Sequence, residues 1–136
     1  MLFRNKKKND IHVGKYNGLG GKFELEESPQ ECARREIEEE SGLKAEEMQM
    51  RGVISFPKFD GANDWYVFVF TVSKFSGIQI ESPEGRLEWI DDAKLTQIPL
   101  WEGDYIFMPW LKQDKFFSAK FSYSNGKLQS HNVDFY

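Results

Sequence analysis

Three carboxylates, Glu36, Glu39 and Glu40, sit at spacings of i, i+3 and i+4 in the segment Gly21–Leu43, GKFELEESPQECARREIEEESGL. On a helix that spacing brings them to one face, where Glu36 and Glu40, one turn apart, repel each other. Carboxylates held together against their repulsion suit a hard, oxygen-seeking cation such as Mg2+ or Mn2+, which relieves it. An acidic run of this kind also reads as a solvated helix face balanced by Arg34 and Arg35. The glycine-rich loop ahead of it, with Glu27 at a fixed distance after Gly21, favours the metal-binding reading.

The element that must position these groups is a helix with clear ends. Ser28 is placed to cap it, Pro29 suits its first position and Glu31 completes a capping box. Gly42 stands where a left-handed glycine stops a helix. Cys32, Ala33 and Ile37, with Arg34 or Ser41, are expected on the inner side. Cys32 is the only cysteine, so no internal disulfide forms, and burial as a small apolar residue is its expected role.

The pattern G-x5-E-x7-R-E-(apolar)-x-E-E-x-G-(apolar) is met at every specified position from Gly21 to Leu43 and resembles the Nudix box. The alignable resemblance runs from about Leu2 to the C-terminus, but only the box is strongly diagnostic. It implies an α/β fold, the Nudix α/β/α sandwich with a mixed sheet. It also implies Mg2+ (or Mn2+) as cofactor and a small-molecule nucleotide as substrate. Glu36, Glu39 and Glu40 would hold metal, with Arg35 and Glu27 orienting them. One of these carboxylates, or Glu84, would take the proton from water.

Loop and downstream segments extend the resemblance. Tyr16-Asn17-Gly18-Leu19-Gly20-Gly21-Lys22 is similar to the (aromatic)-N-G-x-G-G-K of MutT-like and oxidised-purine nucleotide hydrolases. By that resemblance the Gly20 carbonyl is a metal ligand, Asn17 meets the purine edge and Lys22 lies near the phosphates. Asn17-Gly18 also reads as an ordinary turn. Glu84 occupies the place of the family's distal acidic residue, with Glu81 and Glu88 as rivals, before a strand whose Trp89 is expected in the core. Trp101-Glu102-Gly103-Asp104 resembles a Trp-Pro-Asp-Asp segment in which tryptophan stacks on the base and paired aspartates read its edge. Here Gly103 replaces the first aspartate. Trp101 as core and Asp104 as a helix cap is the alternative.

The rest of the chain fits one domain, residues 1–136. Its 136 residues are 40% hydrophobic and 15% aromatic, enough for a sizeable core. A net charge of −4 argues against a partner that is a nucleic-acid polymer. No apolar run is long enough for a membrane span, and the basic start MLFRNKKKND lacks the apolar stretch of an export signal, so a cytoplasmic monomer or homodimer is expected. Strands are expected over Met48–Phe59, Trp65–Val72 (apolar on both faces, hence central), Arg86–Ile90, Phe116–Tyr123 and Leu128–Phe135, with a turn over Asp60–Asp64 and a helix over Gly103–Lys112. Asn125-Gly126 marks a hairpin. Nudix domains of this kind open with a strand before the segment resembling Leu2-Phe3-Arg4, so the first strand is expected to be missing or truncated.

The expected reaction is Mg2+-dependent hydrolysis of a purine nucleoside triphosphate, such as 8-oxo-dGTP, to monophosphate and pyrophosphate. An ADP-ribose hydrolase is the runner-up, on the position of Pro57, and would shift substrate contacts toward Phe56. A nucleotide-binding Nudix module without catalysis is a third reading. Such modules commonly lose box glutamates, and none is lost here.

Overall fold

A computed structural model of the chain describes residues 1–7 and 9–136. In chain order it contains β1 (Leu2–Arg4), β2 (Tyr16–Asn17), α1 (Pro29–Ser41), β3 (Leu43–Phe56), β4 (Trp65–Gly77) and β5 (Gly85–Leu87). A 3-10 segment, Asp92–Gln97, precedes α2 (Glu102–Phe107), a second 3-10 segment (Met108–Lys112), β6 (Phe117–Ser124) and β7 (Lys127–Phe135). These elements form two compact units, Met1–Met48 with Val72–Leu100, and Gln49–Thr71 with Trp101–Tyr136. Among the described residues no helix is long and apolar enough to cross a membrane.

The first unit is built on a small antiparallel sheet in the order β2-β1-β5, with Leu2 buried at its centre. Its helix α1 has the ends its sequence specifies. Ser28 accepts from the Glu31 N–H, and the Glu31 carboxylate accepts from the Ser28 N–H, satisfying two of the donors a helix start leaves unpaired. Gly42 ends the helix at φ 76°, its N–H donating to the Glu38 carbonyl. Cys32 and Ser41 are buried and Ala33 and Ile37 half-buried, as expected, whereas Arg34 is exposed. The unexpected member of the inner side is Glu40, at 6% exposure.

The mixed sheet is ordered β4-β3-β6-β7, with β6 parallel to β3 and antiparallel to β7. Alternate residues of β6, Phe117, Ala119 and Phe121, are buried and pack with Ile54 of β3. Phe56, Val69, Ile106, Trp110, Leu128 and Val133 close around them. The hairpin turns at Asn125 and Gly126, both at positive φ (52° and 76°), the backbone of the turn that a right-twisted β-ribbon favours.

Three expectations needed correction. The apolar strand Trp65–Val72 runs on to Gly77 as β4 and lies at the edge of its sheet, with Tyr66 and Val67 exposed, not at the centre. An unbroken apolar run does not say which neighbours a strand acquires. The strand over Arg86–Ile90 is only Gly85–Leu87, and Trp89 is 72% exposed, its ring stacked on Phe75 at 5.6 Å and its N–H bonded to Gln79. The helix over Gly103–Lys112 stops at Phe107, because Pro109 lacks an N–H and crowds the preceding turn, and the chain continues as a 3-10 segment.

Gly42 gives the first test. A Cβ there would sit in a left-handed conformation and only 2.6 Å from the Ile78 carbonyl. Gly42→Ala should therefore lower the unfolding free energy by at least about 1–2 kcal/mol, read by chemical denaturation. An unchanged midpoint would show that this helix end is not fixed as described.

Candidate functional site

In the first unit one guanidinium organises the acidic residues. Arg35 Nε and Nη2 donate to the two oxygens of Glu27 at 2.8 and 3.0 Å, and Nη1 donates to Glu36 at 2.8 Å and Glu39 at 3.1 Å. Nη2 also donates to the Lys22 carbonyl at 3.0 Å, which ties the loop to the helix. The hydrogen bonds from Arg35, with that from the Glu24 N–H, hold the Glu27 carboxyl down to about 2, and its partners raise Arg35 further still. The Glu36 carboxylate lies directly over Gly21, where any Cβ would overlap it. That is a physical reason for the glycine that opens the box.

Glu40 lives in the opposite environment. It is buried, and it accepts a long hydrogen bond, 3.4 Å, from the Gly20 N–H. Burial pushes its carboxyl up to about 8, and the neighbouring Glu36 adds to the shift, against the Gly20 N–H and the charge of Arg4. Glu36 and Glu40 thus form a crowded pair of hard oxygen donors in which a proton does what a divalent cation would do better. This donor chemistry fits Mg2+ or Mn2+.

Not every expected ligand joins that pair. Glu39 is mostly exposed and is held by Arg35. Glu84 accepts from Lys7 at 2.8 Å and from Arg4 at 3.5 Å. Among the described residues no cluster of three carboxylate, histidine or cysteine groups is drawn together into a ready metal cage. Gly20 turns its N–H toward Glu40. Lys22 is exposed and engaged through its carbonyl, and Asn17 is half-buried in β2 opposite Leu2. Cys32 is buried and its thiol is pushed up chiefly by burial, so it is a packing residue and not a nucleophile. Of the rivals to Glu84, Glu88 is taken up by Tyr16, at 2.6 Å, and by Arg86.

Sequence reasoning passed over Arg4. It lies in β1, 2.6 Å from Asp10 though not aligned for a hydrogen bond, reaches Glu84 and offsets Glu40. A basic residue following Leu2-Phe3 in a short strand was the available signal.

In the second unit a separate aromatic corner gathers Phe56, Phe59, Trp101 and Tyr123. Phe59 meets Trp101 at 4.9 Å and Tyr123 at 5.2 Å, and Trp101 meets Tyr123 edge-on at 5.6 Å. Phe56 lies 5.4 Å from Phe59 and stacks on Phe121. The Asp60–Asp64 turn carries Phe59. Asp60 accepts from the Asn63 and Ala62 N–H groups and from the Trp65 indole, which hold its carboxyl well below the usual range. Trp101 is the residue before α2, and no side chain caps that helix, so Asp104 lies within its first turn and is not a cap. The period-two burial of β6 could have revealed Tyr123, the next inward position after Phe121.

With this geometry in view, the relatives are informative. The NUDIX domain profile matches residues 1–111. The chain is 34% identical over 127 residues to a Danio rerio oxidized purine nucleoside triphosphate hydrolase, covering 93% of this chain and 78% of that one. A Mus musculus protein of the same description is 34% identical over 122 residues, covering 88% and 76%. The crystal structure of a mutator MutT protein from Bacillus halodurans superposes with a TM-score of 0.83 at 30% identity, over 98% of this chain and 88% of that chain.

The shift at Glu40 predicts a pH dependence of known sign. Its folded value of about 8 lies above the ordinary 4.5. Below about 4.5 both states hold the proton and Glu40 contributes nothing. As pH rises toward 8 the unfolded chain releases its proton first, so this residue increasingly favours unfolding. In chelator, the melting temperature of Glu40→Gln relative to wild type should therefore rise between pH 5 and pH 8.5. A difference that stays flat across that range would mean Glu40 is ionised in the fold.

Proposed function

The chain belongs to the Nudix hydrolase family, and on that footing we propose that it converts a purine nucleoside triphosphate, oxidised or normal, to the monophosphate and pyrophosphate with Mg2+ (or Mn2+) as cofactor. The observation that carries this reading is the Arg35 cluster beside the pair of half-buried Glu36 and buried Glu40, a set of carboxylates sorted by environment. The curated relatives described as oxidized purine nucleoside triphosphate hydrolases support the substrate class.

Glu36 and Glu40 would hold the ion, with Glu39, Glu84 and the Gly20 carbonyl as the further donors the resemblance suggests. When bound, such an ion neutralises phosphate oxygens and makes a bound water more acidic. Water attacks phosphorus, its proton passes to one carboxylate of Glu36, Glu39, Glu40 or Glu84, and pyrophosphate leaves. Phosphoryl transfer of this kind needs positioning and charge balance more than covalent help from the protein. Arg35 supplies the positioning. Its planar fork fixes the rotamers of Glu36 and Glu39 and leaves Glu27 as a permanent anion against which it is braced. Lys22 and Asn17 keep the phosphate and purine roles that the resemblance gives them. By the same resemblance Trp101 would stack on the base, and Asp104 would accept from or donate to its edge according to its protonation.

A panel of nucleoside triphosphates and ADP-ribose with Mg2+, scored for pyrophosphate and for phosphate, tests the reaction directly. A purine triphosphate giving monophosphate and pyrophosphate fastest is the expected result, and faster hydrolysis of ADP-ribose would replace it with the runner-up. Glu40→Gln keeps the shape of the side chain and removes an anion, so kcat should fall about a hundredfold or more. Mg2+ should also raise the melting temperature of the ligand-free wild type, since it binds only the assembled carboxylates, and chelator should abolish activity reversibly. Full turnover in excess chelator would sink the metal-dependent reading.

A further inference from the structure

The basic run near the start of the chain has no part in the reaction as described, yet its side chains do not form a loose cationic patch. Three of them converge on one turn of the first unit, residues 82–85, which carries Glu84. Lys6 Nζ donates to the Ser82 carbonyl at 2.6 Å, Lys7 Nζ to Glu84 Oε1 at 2.8 Å and Arg4 Nη2 to Glu84 Oε2 at 3.5 Å. The turn is also fixed from within, since the Glu84 N–H donates to Oγ of the buried Ser82 at 3.2 Å. Arg4 stands opposite Gly85 where β1 pairs with β5, so the turn and the basic run meet at the end of one sheet.

The three cations are not equal. Lys7 is 60% exposed, and a contact of that kind is screened by salt and costs side-chain freedom to hold. Arg4 is mostly buried, and its Nε lies 2.6 Å from the carboxylate of Asp10, whose side chain is only 7% exposed. A buried cation beside a buried anion stays in place, because parting them leaves each charge uncompensated. Asp10 is itself held by the His12 N–H, which donates to its Oδ1 at 3.0 Å. Because the guanidinium is planar, Asp10 at Nε and Glu84 at Nη2 fix its orientation together, which a single ammonium cannot reproduce. The arrangement parallels the box helix, where Glu27 braces Arg35 and Arg35 holds Glu36. The charge of Arg4 also acts on Glu40, so the distal carboxylate and the buried one both feel this guanidinium.

We propose that Arg4, braced by Asp10, is a positioning residue that fixes the Glu84 carboxylate for the reaction, with Lys6 and Lys7 closing the clamp. The assignment rests on the reading of Glu84 as a carboxylate that takes part in hydrolysis. It gives the basic run a task inside the first unit. It also makes Asp10, which lies outside the box pattern, a residue on which the chemistry depends.

The test is a mutant cycle in the full chain with Mg2+ and the purine triphosphate that wild type hydrolyses fastest. Arg4→Lys keeps a charge beside Asp10 but loses the fork. It should lower kcat about ten- to a hundredfold with KM little changed, the usual effect of losing a partner that orients an active group. In a Glu84→Gln background the same change should cost less than about twofold, because residues that act through one group are not additive. Asp10→Asn should behave likewise, and where it weakens the fold Arg4→Lys decides. One readout needs no turnover: in chelator, the shifts in urea midpoint caused by Arg4→Lys and Glu84→Gln should not sum, and additive shifts refute the clamp. A rise in KM at unchanged kcat would put Arg4 on the phosphates and overturn the assignment, as would an undiminished effect in the Glu84→Gln background. If Glu84→Gln lowers kcat and Arg4→Lys does not, the reading of Glu84 stands and the role of Arg4 is refuted. If Glu84→Gln leaves kcat at the wild-type level, or wild type is inert toward every triphosphate, the reading itself falls and the role of Arg4 with it.

Discussion

The guanidinium of Arg35 binds three carboxylates and a loop carbonyl at once, and the acidic face of α1 depends on it. Glu27, Glu36 and Glu39 all lie within 3.1 Å of its nitrogens. Without a cation among them, anions this close would repel into solvent and the loop from Gly21 to Ser28 would lose its anchor. A lysine could not substitute. Its ammonium is a point charge with three donors, whereas the arginine fork meets Glu27 through two parallel bonds and still has a nitrogen for Glu36 and Glu39.

The same arrangement explains why Glu40 behaves differently from its neighbours. Arg35 does not reach it, burial removes water from it, and Glu36 crowds it. Glu27 is driven down and Glu40 up, although both are glutamates of one loop-and-helix unit. Environments that push like groups in opposite directions are how one set of carboxylates can divide the work of structure and chemistry. Glu27 is the structural member of that set. Glu40 is the one whose charge is least stable until something positive joins it.

Where the fold was legible in the residues, the deciding forces were local. Ser28, Pro29, Glu31 and Gly42 fix the ends of α1 through bonds to their own backbone neighbours, and Asn125-Gly126 fixes the β6–β7 hairpin through its φ angles. Where it was not legible, the deciding partner lay far along the chain. Nothing near Trp65–Val72 says that β4 has one sheet neighbour, and nothing near Trp89 says that its support is Phe75. The box spacing named the carboxylates but not their sorting, in which Arg35 holds Glu27 and burial isolates Glu40. Arg4 reaches Glu84 and Tyr123 reaches Gly103 across separations of 80 and 20 residues, which no local pattern encodes.

Two glycines show how closely sterics and polarity are coupled here. At Gly21 the absent side chain lets a carboxylate lie on the backbone, and at Gly103 it lets a phenol do so. In both places the polar group has been brought to where only hydrogen stands on Cα. Enlarging either residue would not simply create a clash that relaxes. It would drive an oxygen off the position it occupies, stripping Glu36 of its seat in one unit and Tyr123 of its N–H donor in the other. The consequence is that neither glycine can be exchanged independently of its partner.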